Sequence, residues 1–178
     1  SSVDENILEF RKSSKSKDYI KITYFPDFSH FGMTSNVDHF KLYERRAHDI
    51  AMCSSSKTNV KFNDITLNTK TFESYVKMFI PDKTKMVSIN TPRWQVCFVL
   101  NDVFDKFTQI SLVNGIYTKL GGTHINHVIN PLIKEVIIKL SKGKDSELNI
   151  RPSYIKDNLI VFVNCSIVNP TFSSQTKQ

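Results

Sequence analysis

The strongest periodic signal in the chain lies in its second half. Ile125, Val128, Ile129, Leu132, Ile133, Val136, Ile137 and Leu140 fall at offsets 0, 3, 4, 7, 8, 11, 12 and 15. That spacing puts apolar side chains on one face of a 3.6-residue helix. The stripe is wide, so the helix is expected to lie flat on a sheet. Gly121-Gly122 punctuates the chain before it, and Thr123 is its natural N-cap. Pro131 sits inside the pattern and is expected to loosen the preceding turn. A second helix is predicted over VDHFKLYERRAHDIAMC, with Val37, Phe40, Ala47, Ile50 and Ala51 on one face and Ser35 or Asn36 as N-cap.

Strand patterns surround these helices. YIKITYF (Tyr19 to Phe25) is β-branched and aromatic and stops at Pro26-Asp27. NVKFNDITL reads as a hairpin turning at Asn63-Asp64. FESYVKMFI is a short helix stopped by Pro81. WQVCFVLN and FTQISLVNG are strands separated by a turn around Asn101-Asp102, and LIVFVNCSIV (Leu159 to Val168) is a buried strand after a short helical turn at Arg151-Pro152. The order β-α-β-β-α, then β-β-α-β, suggests two α/β pieces with a boundary near residues 66 to 71. Arg11 to Lys17 reads as an exposed loop, and no internal repeat is visible.

Composition narrows the class. A chain of 178 residues, 40% hydrophobic and 23% charged, is that of a globular protein. No apolar run approaches the roughly 20 residues a bilayer span needs. The three cysteines include no CxxC, and Cys97 and Cys165 lie inside apolar strands, which points to buried free thiols and a reducing, intracellular setting. A net charge of +7 and a pI near 9.3 favour polyanionic partners.

Candidate chemistry is sparse. No GxSxG, P-loop, HExxH or spaced triad appears. His124-x-x-His127 lacks a third ligand, so packing or hydrogen bonding explains it better than a metal. Arg45 and Asp49 fit exposed i,i+4 charge pairing on the polar face of their helix. Gly121-Gly122-Thr123 is either a tight turn needing φ > 0 or an anion site at a helix N-terminus. Lys139, Lys142 and Lys144, opposed by Asp145 and Glu147, form a solvated loop or make salt-dependent, sequence-blind phosphate contacts. In the closing string NPTFSSQTKQ, Gln175 both donates and accepts hydrogen bonds and Lys177 carries an ammonium on a long stem. Hung from a buried strand, the pair can reach a phosphate bound elsewhere.

Several strings together resemble the eukaryotic-type type IIA DNA topoisomerases: FPDFSHFGMTS, YERRAHDIA, FTQISLVNGIYTKLGGTHINHVINPLI and LIVFVNCSIVNPTFSSQTKQ. The resemblance runs from about Tyr19 to Gln178, is looser from Lys83 to Pro92, and gives only approximate lysine-to-lysine correspondence in the basic loop. Where the family has a Thr entering the first strand, this chain has Ile20. Its Asn-, Lys- and Ile-rich composition fits a homologue from a large cytoplasmic DNA virus.

The resemblance implies an α+β fold, a two-layer α/β sandwich. Residues 1–66 would be the C-terminal portion of a GHKL (Bergerat) ATP-binding domain. Residues 67–178 would be a transducer domain with a left-handed βαβ crossover, ending just after the Gln-Thr-Lys loop; such a crossover is an exception to the usual handedness. In the family that loop enters the nucleotide pocket, which assigns Gln175, Thr176 and Lys177 to ATP binding, with Lys177 the catalytic residue on the γ-phosphate. Lys142 and Lys144 match a lysine-rich loop that contacts DNA. No metal ligand is implied here: ATP and Mg2+ would be bound mainly by residues outside the matched region. The expected partners are double-stranded DNA, ATP, the remainder of the same polypeptide and a second copy in a homodimer, with no membrane. The parent would be an ATP-hydrolysing isomerase in the host cytoplasm if viral, or the nucleus if cellular, and this stretch alone would be inactive. The alternatives are a free-standing basic nucleic-acid-binding module and a middle segment of a MutL-like ATPase, the second opposed by the unbroken NPTFSSQTK string.

Overall fold

The structure, a computed structural model, describes residues 19–102, 106–142 and 150–172. The chain divides into two compact units at residues 36 and 37. In the first, Asp27 precedes a 3-10 turn at Ser29–Phe31 and accepts from Ser29 Oγ at 2.6 Å and the His30 amide at 3.1 Å. The Ser29 hydroxyl, then the His30 amide, hold the Asp27 carboxyl below its ordinary value. The strand expected over Tyr19–Phe25 does not form. The run has no ladder partner among the described residues, and Tyr19, Ile20, Ile22, Tyr24 and Phe25 are all exposed. Propensity without a partner or a buried face does not make a strand.

The second unit is built on a mixed sheet. Helix α1 (Val37–Cys53) is followed by a small hairpin, β1 (Lys61–Phe62) and β2 (Ile65–Thr66), then by helix α2 (Phe72–Val76). Asn63 and Asp64 both have positive φ, 47° and 63°, as the expected two-residue turn requires. Thr71 and Ser74 form a capping box on α2, which ends at Val76, before the Pro81 expected to stop it. There follow β3 (Met86–Asn90), β4 (Trp94–Leu100), β5 (Thr108–Val113), β6 (Ile116–Tyr117), α3 (Thr123–Ser141), α4 (Pro152–Asp157) and β7 (Leu159–Cys165). Strand order is β3-β4-β7-β5-β6. The last strand therefore occupies the centre, antiparallel to β4 and parallel to β5.

Period-two alternation sorts the sheet's side chains between two cores. Ile160 and Phe162 face Cys97, Val99, Ile110 and Leu112, a surface covered by Met52 of α1 and Phe72, Tyr75 and Val76 of α2. Leu159, Val161, Val163 and Cys165 face Val96 and Val113, covered by Ile125, Ile129 and Ile133 of α3. Strand β7 is thus buried on both sides, which is why it reads as an unbroken apolar run. The α3 stripe packs as its spacing predicts, with α4 against it.

Helix α1 departs from expectation. Val37, Phe40 and Ile50 are exposed, whereas Asp49, Ala51 and Met52 are buried. Asp49 does not pair with Arg45 on the surface. It accepts from the Tyr75 hydroxyl at 2.5 Å and from Arg46 Nη1 at 3.0 Å. Burial, then the hydrogen bond to Asp49, push the Tyr75 phenol upward, so it remains a donor. His48 Nδ1 lies 2.7 Å from Thr69 Oγ1 and adds a further tie to the segment before α2. A helix that read as polar-faced is anchored by a buried polar network.

Candidate functional site

The residues after β7 are held from two sides. Arg93 Nε and Nη2 donate to the Ser166 carbonyl at 3.1 and 3.0 Å, and the Ser166 amide donates back to the Arg93 carbonyl at 2.9 Å. Asn114 Nδ2 donates to the Ile167 carbonyl at 3.0 Å while the Ile167 amide donates to Asn114 Oδ1 at 2.8 Å. The Asn114 amide also donates to the Cys165 carbonyl at 2.9 Å. Asn114 adopts φ 51° in the β5–β6 turn, a conformation Asn tolerates better than most residues. Beyond these clamps Asn169 turns at φ 49° into Pro170.

This root lines one side of a cleft of about 450 Å3 whose other side is the start of α3. Gly121 turns at φ 74° and Gly122 at φ 154°. The backbone at Gly122 favours glycine, and a Cβ there would lie 3.1 Å from His124 Nδ1, pressing on the imidazole. The tight-turn reading of Gly121-Gly122 therefore holds, but Thr123 is not the N-cap. The Gly122 carbonyl accepts the first helical amides, from Ile125 at 3.1 Å and Asn126 at 3.4 Å, which makes Thr123 the first helical residue.

Under the turn lies a buried polar network. Ser111 Oγ and Thr118 Oγ1 lie 3.0 and 3.2 Å from His124 Nε2, and 2.6 Å from each other. Gln109 closes the set: Nε2 donates to the Thr118 and Lys119 carbonyls and Oε1 accepts from Ser111 Oγ at 2.7 Å. Burial holds the His124 imidazole below its ordinary value, favouring the neutral ring. His124 Nε2 and the polar groups of Ser111, Thr118 and Gln109 are engaged with one another, so the network fixes the shape of the turn.

Lys142 lies at the opposite end of α3, exposed, as the helix's C-cap. The 19-residue helix spans about 28 Å at 1.5 Å per residue. Lys139 shares its last turn, and Lys156 of α4 sits 4.7 Å over the Phe107 ring. Cations at a helix C-terminus are favoured by the helix dipole.

Lys144, Gln175, Thr176 and Lys177 lie outside the described residues. His124 and His127 are not brought together: the first is buried in the network and the second stacks on Trp94, ring centroids 5.5 Å apart. Among the described residues no cluster of three His, Cys, Asp or Glu side chains could hold a metal, and no helix is long and apolar enough to cross a membrane. All three cysteines are free thiols, with Cys97 and Cys165 buried as expected. Sequence reasoning missed Asn114, Arg93, Ser111 and Thr118. Asn114-Gly115 after an apolar strand was the available hairpin signal for Asn114; the other three join partners up to 73 residues away or act inside the fold, where pattern is silent.

A DNA gyrase B family model matches residues 51–178. The probable DNA topoisomerase 2 of Dictyostelium discoideum is 36% identical over 166 residues, covering 90% of this chain and 11% of that protein. DNA topoisomerase 2 of Acanthamoeba polyphaga mimivirus is 38% identical over 185 residues, covering 98% of this chain and 14% of that protein. Among solved structures, the ATPase region of Saccharomyces cerevisiae topoisomerase II superimposes with a TM-score of 0.75 at 33% identity, over 85% of this chain and 38% of that one. The chain thus spans 11 to 14% of the length of these curated relatives.

Proposed function

The chain belongs to the DNA gyrase B family, and from that premise we propose that it couples ATP to DNA passage in a type II DNA topoisomerase. On this reading residues 1–66 are the end of the ATP-binding domain and residues 67–178 the transducer. The segment Gln175-Thr176-Lys177 reads the γ-phosphate of ATP held, with its Mg2+, mainly by other parts of the protein. ATP supplies the hydrolysable phosphoanhydride. The Lys177 ammonium stabilises negative charge developing on the terminal phosphate, and Gln175 orients it. Lys142 and Lys144 meet DNA phosphates. Release of the phosphate frees the loop and lets the transducer move, a ligand-held switch of familiar type. A role on DNA in a homodimer implies an intracellular setting.

One observation carries the reading: the root of the Gln-Thr-Lys segment is fixed by Arg93 and Asn114 beside the start of α3, and α3 runs from there to Lys142. A sensor on a loose tether could not report to a distant surface, whereas one rooted beside a 19-residue helix can. The deciding experiment is Lys177→Ala in the parent enzyme. ATP turnover is expected to fall by about 100-fold or more, as on loss of one transition-state charge donor, with ATP-independent DNA cleavage retained. Unchanged turnover would refute the sensor and leave a basic nucleic-acid-binding module.

A further inference from the structure

We infer that Arg45 is a positioning residue for this switch and acts through Tyr117; the inference rests on the reading above, in which α1 belongs to the ATP-binding side. The Arg45 guanidinium carbon lies 4.9 Å from the Phe79 ring centroid and 4.7 Å from that of Tyr117, and Arg46 lies 5.1 Å over the same Tyr117 ring. A planar cation stacked on two rings is fixed in orientation as well as in place. Arg46, not Arg45, takes the Asp49 carboxylate, and Arg45 Nη2 is buried with no hydrogen-bond partner among the described residues. Arg45 is thus placed by the two rings together with its interaction with the Tyr75 hydroxyl.

Tyr117 ends β6, the edge strand of the sheet, and its ring packs against the core beneath α1 and α2. The next residue, Thr118, enters the His124–Ser111 network under α3, on the other face. Two consecutive residues, the last of the edge strand and the one after it, therefore join α1 to the start of α3. An edge strand is bonded along one side only, so the side chains on its two faces set its position. The Thr118 carbonyl accepts the Gly121 amide at 3.0 Å, so the Gly121-Gly122 wall of the cleft follows β6. Arg45 thereby holds the wall against which the root of the sensing segment lies.

The test titrates the full-length protein with the non-hydrolysable analogue AMPPNP and follows tryptic cleavage after Lys177. The wild type should be protected on nucleotide binding. Arg45→Ala and Tyr117→Ala should each need about five- to tenfold more AMPPNP for half-protection, the scale of one cation–π contact, and the double variant should be no worse than either single one. Tyr117→Phe keeps the ring and should behave as wild type. Arg45→Lys keeps the charge but loses the plane and should side with Arg45→Ala while its urea midpoint stays near wild type. Equal half-protection in all variants, or additive losses in the double variant, would overturn the inference. If Arg45→Ala does not fold, a shifted Arg45→Lys beside an unshifted Tyr117→Phe supports the inference, and two unshifted variants refute it. A wild type that AMPPNP does not protect would instead overturn the phosphate-sensor reading itself.

Discussion

The side-chain amide of Asn114 makes the two hydrogen bonds to Ile167 that a neighbouring strand would make, donating to its carbonyl at 3.0 Å and accepting from its amide at 2.8 Å. The β5–β7 ladder is in this way prolonged by a side chain past Val113 and Cys165, its last backbone pair.

Asn114→Ala should cost about 1–3 kcal/mol, because two backbone groups lose their partner. Urea denaturation of the chain measures the loss. Asn114→Gly suits the positive φ at this position but removes the amide, so it should recover little of the stability. Full recovery by glycine would show that backbone strain, not the side-chain clamp, governs the site.

Tyr75→Phe removes the donor to Asp49 Oδ1 and leaves the buried carboxylate with Arg46. A loss of about 1.5–3 kcal/mol is expected for a hydrogen bond to a charged group. Asp49→Asn in the Tyr75→Phe background should cost less than in the wild type, since the two residues share one interaction. A double-mutant cycle with no coupling would contradict the network.

His124 gives a pH dependence with a defined sign. Its folded value lies below the ordinary 6.5, so the unfolded chain takes up the proton first as pH falls. Stability from this residue is full above about pH 6.5 and declines as pH drops toward the folded value. Between about pH 7.5 and about pH 5.5 the urea midpoint should fall further in the wild type than in His124→Gln. Equal falls would mean that the imidazole is not held neutral.

Lys142→Ala with Lys144→Ala should weaken DNA binding by the parent enzyme without altering sequence preference. The slope of log K against log salt should drop by about 2 if both lysines neutralise phosphates, at roughly 0.9 per contact. An unchanged slope would remove this loop from the DNA surface.

The sheet and its long helix were legible because they obey simple periods. The α3 stripe of Ile125, Ile129 and Ile133 and the apolar run of β7 reappear as core. The Asn63-Asp64 turn was legible because few residues tolerate positive φ. Strand β3 was missed because it lies at an edge, with Val87 and Ile89 exposed, and so shows no buried face in its pattern. Asp49 was misread because helix periodicity counts apolar residues, and this helix anchors itself with a buried carboxylate. The resemblance pointed to the tail, whereas the groups that root it, Asn114 and Arg93, are joined to it only by folding.

Strand β7 comes after all its sheet neighbours in chain order, yet takes the central place among them. Until it enters, β3–β4 and β5–β6 are separate hairpins with an open slot between them. Closing that slot joins Trp94 to Cys165 and Thr108 to Ile160, pairings far apart in sequence and hence slow to form. On the ribosome the keystone strand therefore emerges after the other four strands of its sheet, three residues ahead of NPTFSSQTKQ. The clamping of Ser166 and Ile167 by Arg93 and Asn114 is then a late product of folding, and a sheet assembled without β7 leaves that string without its clamps.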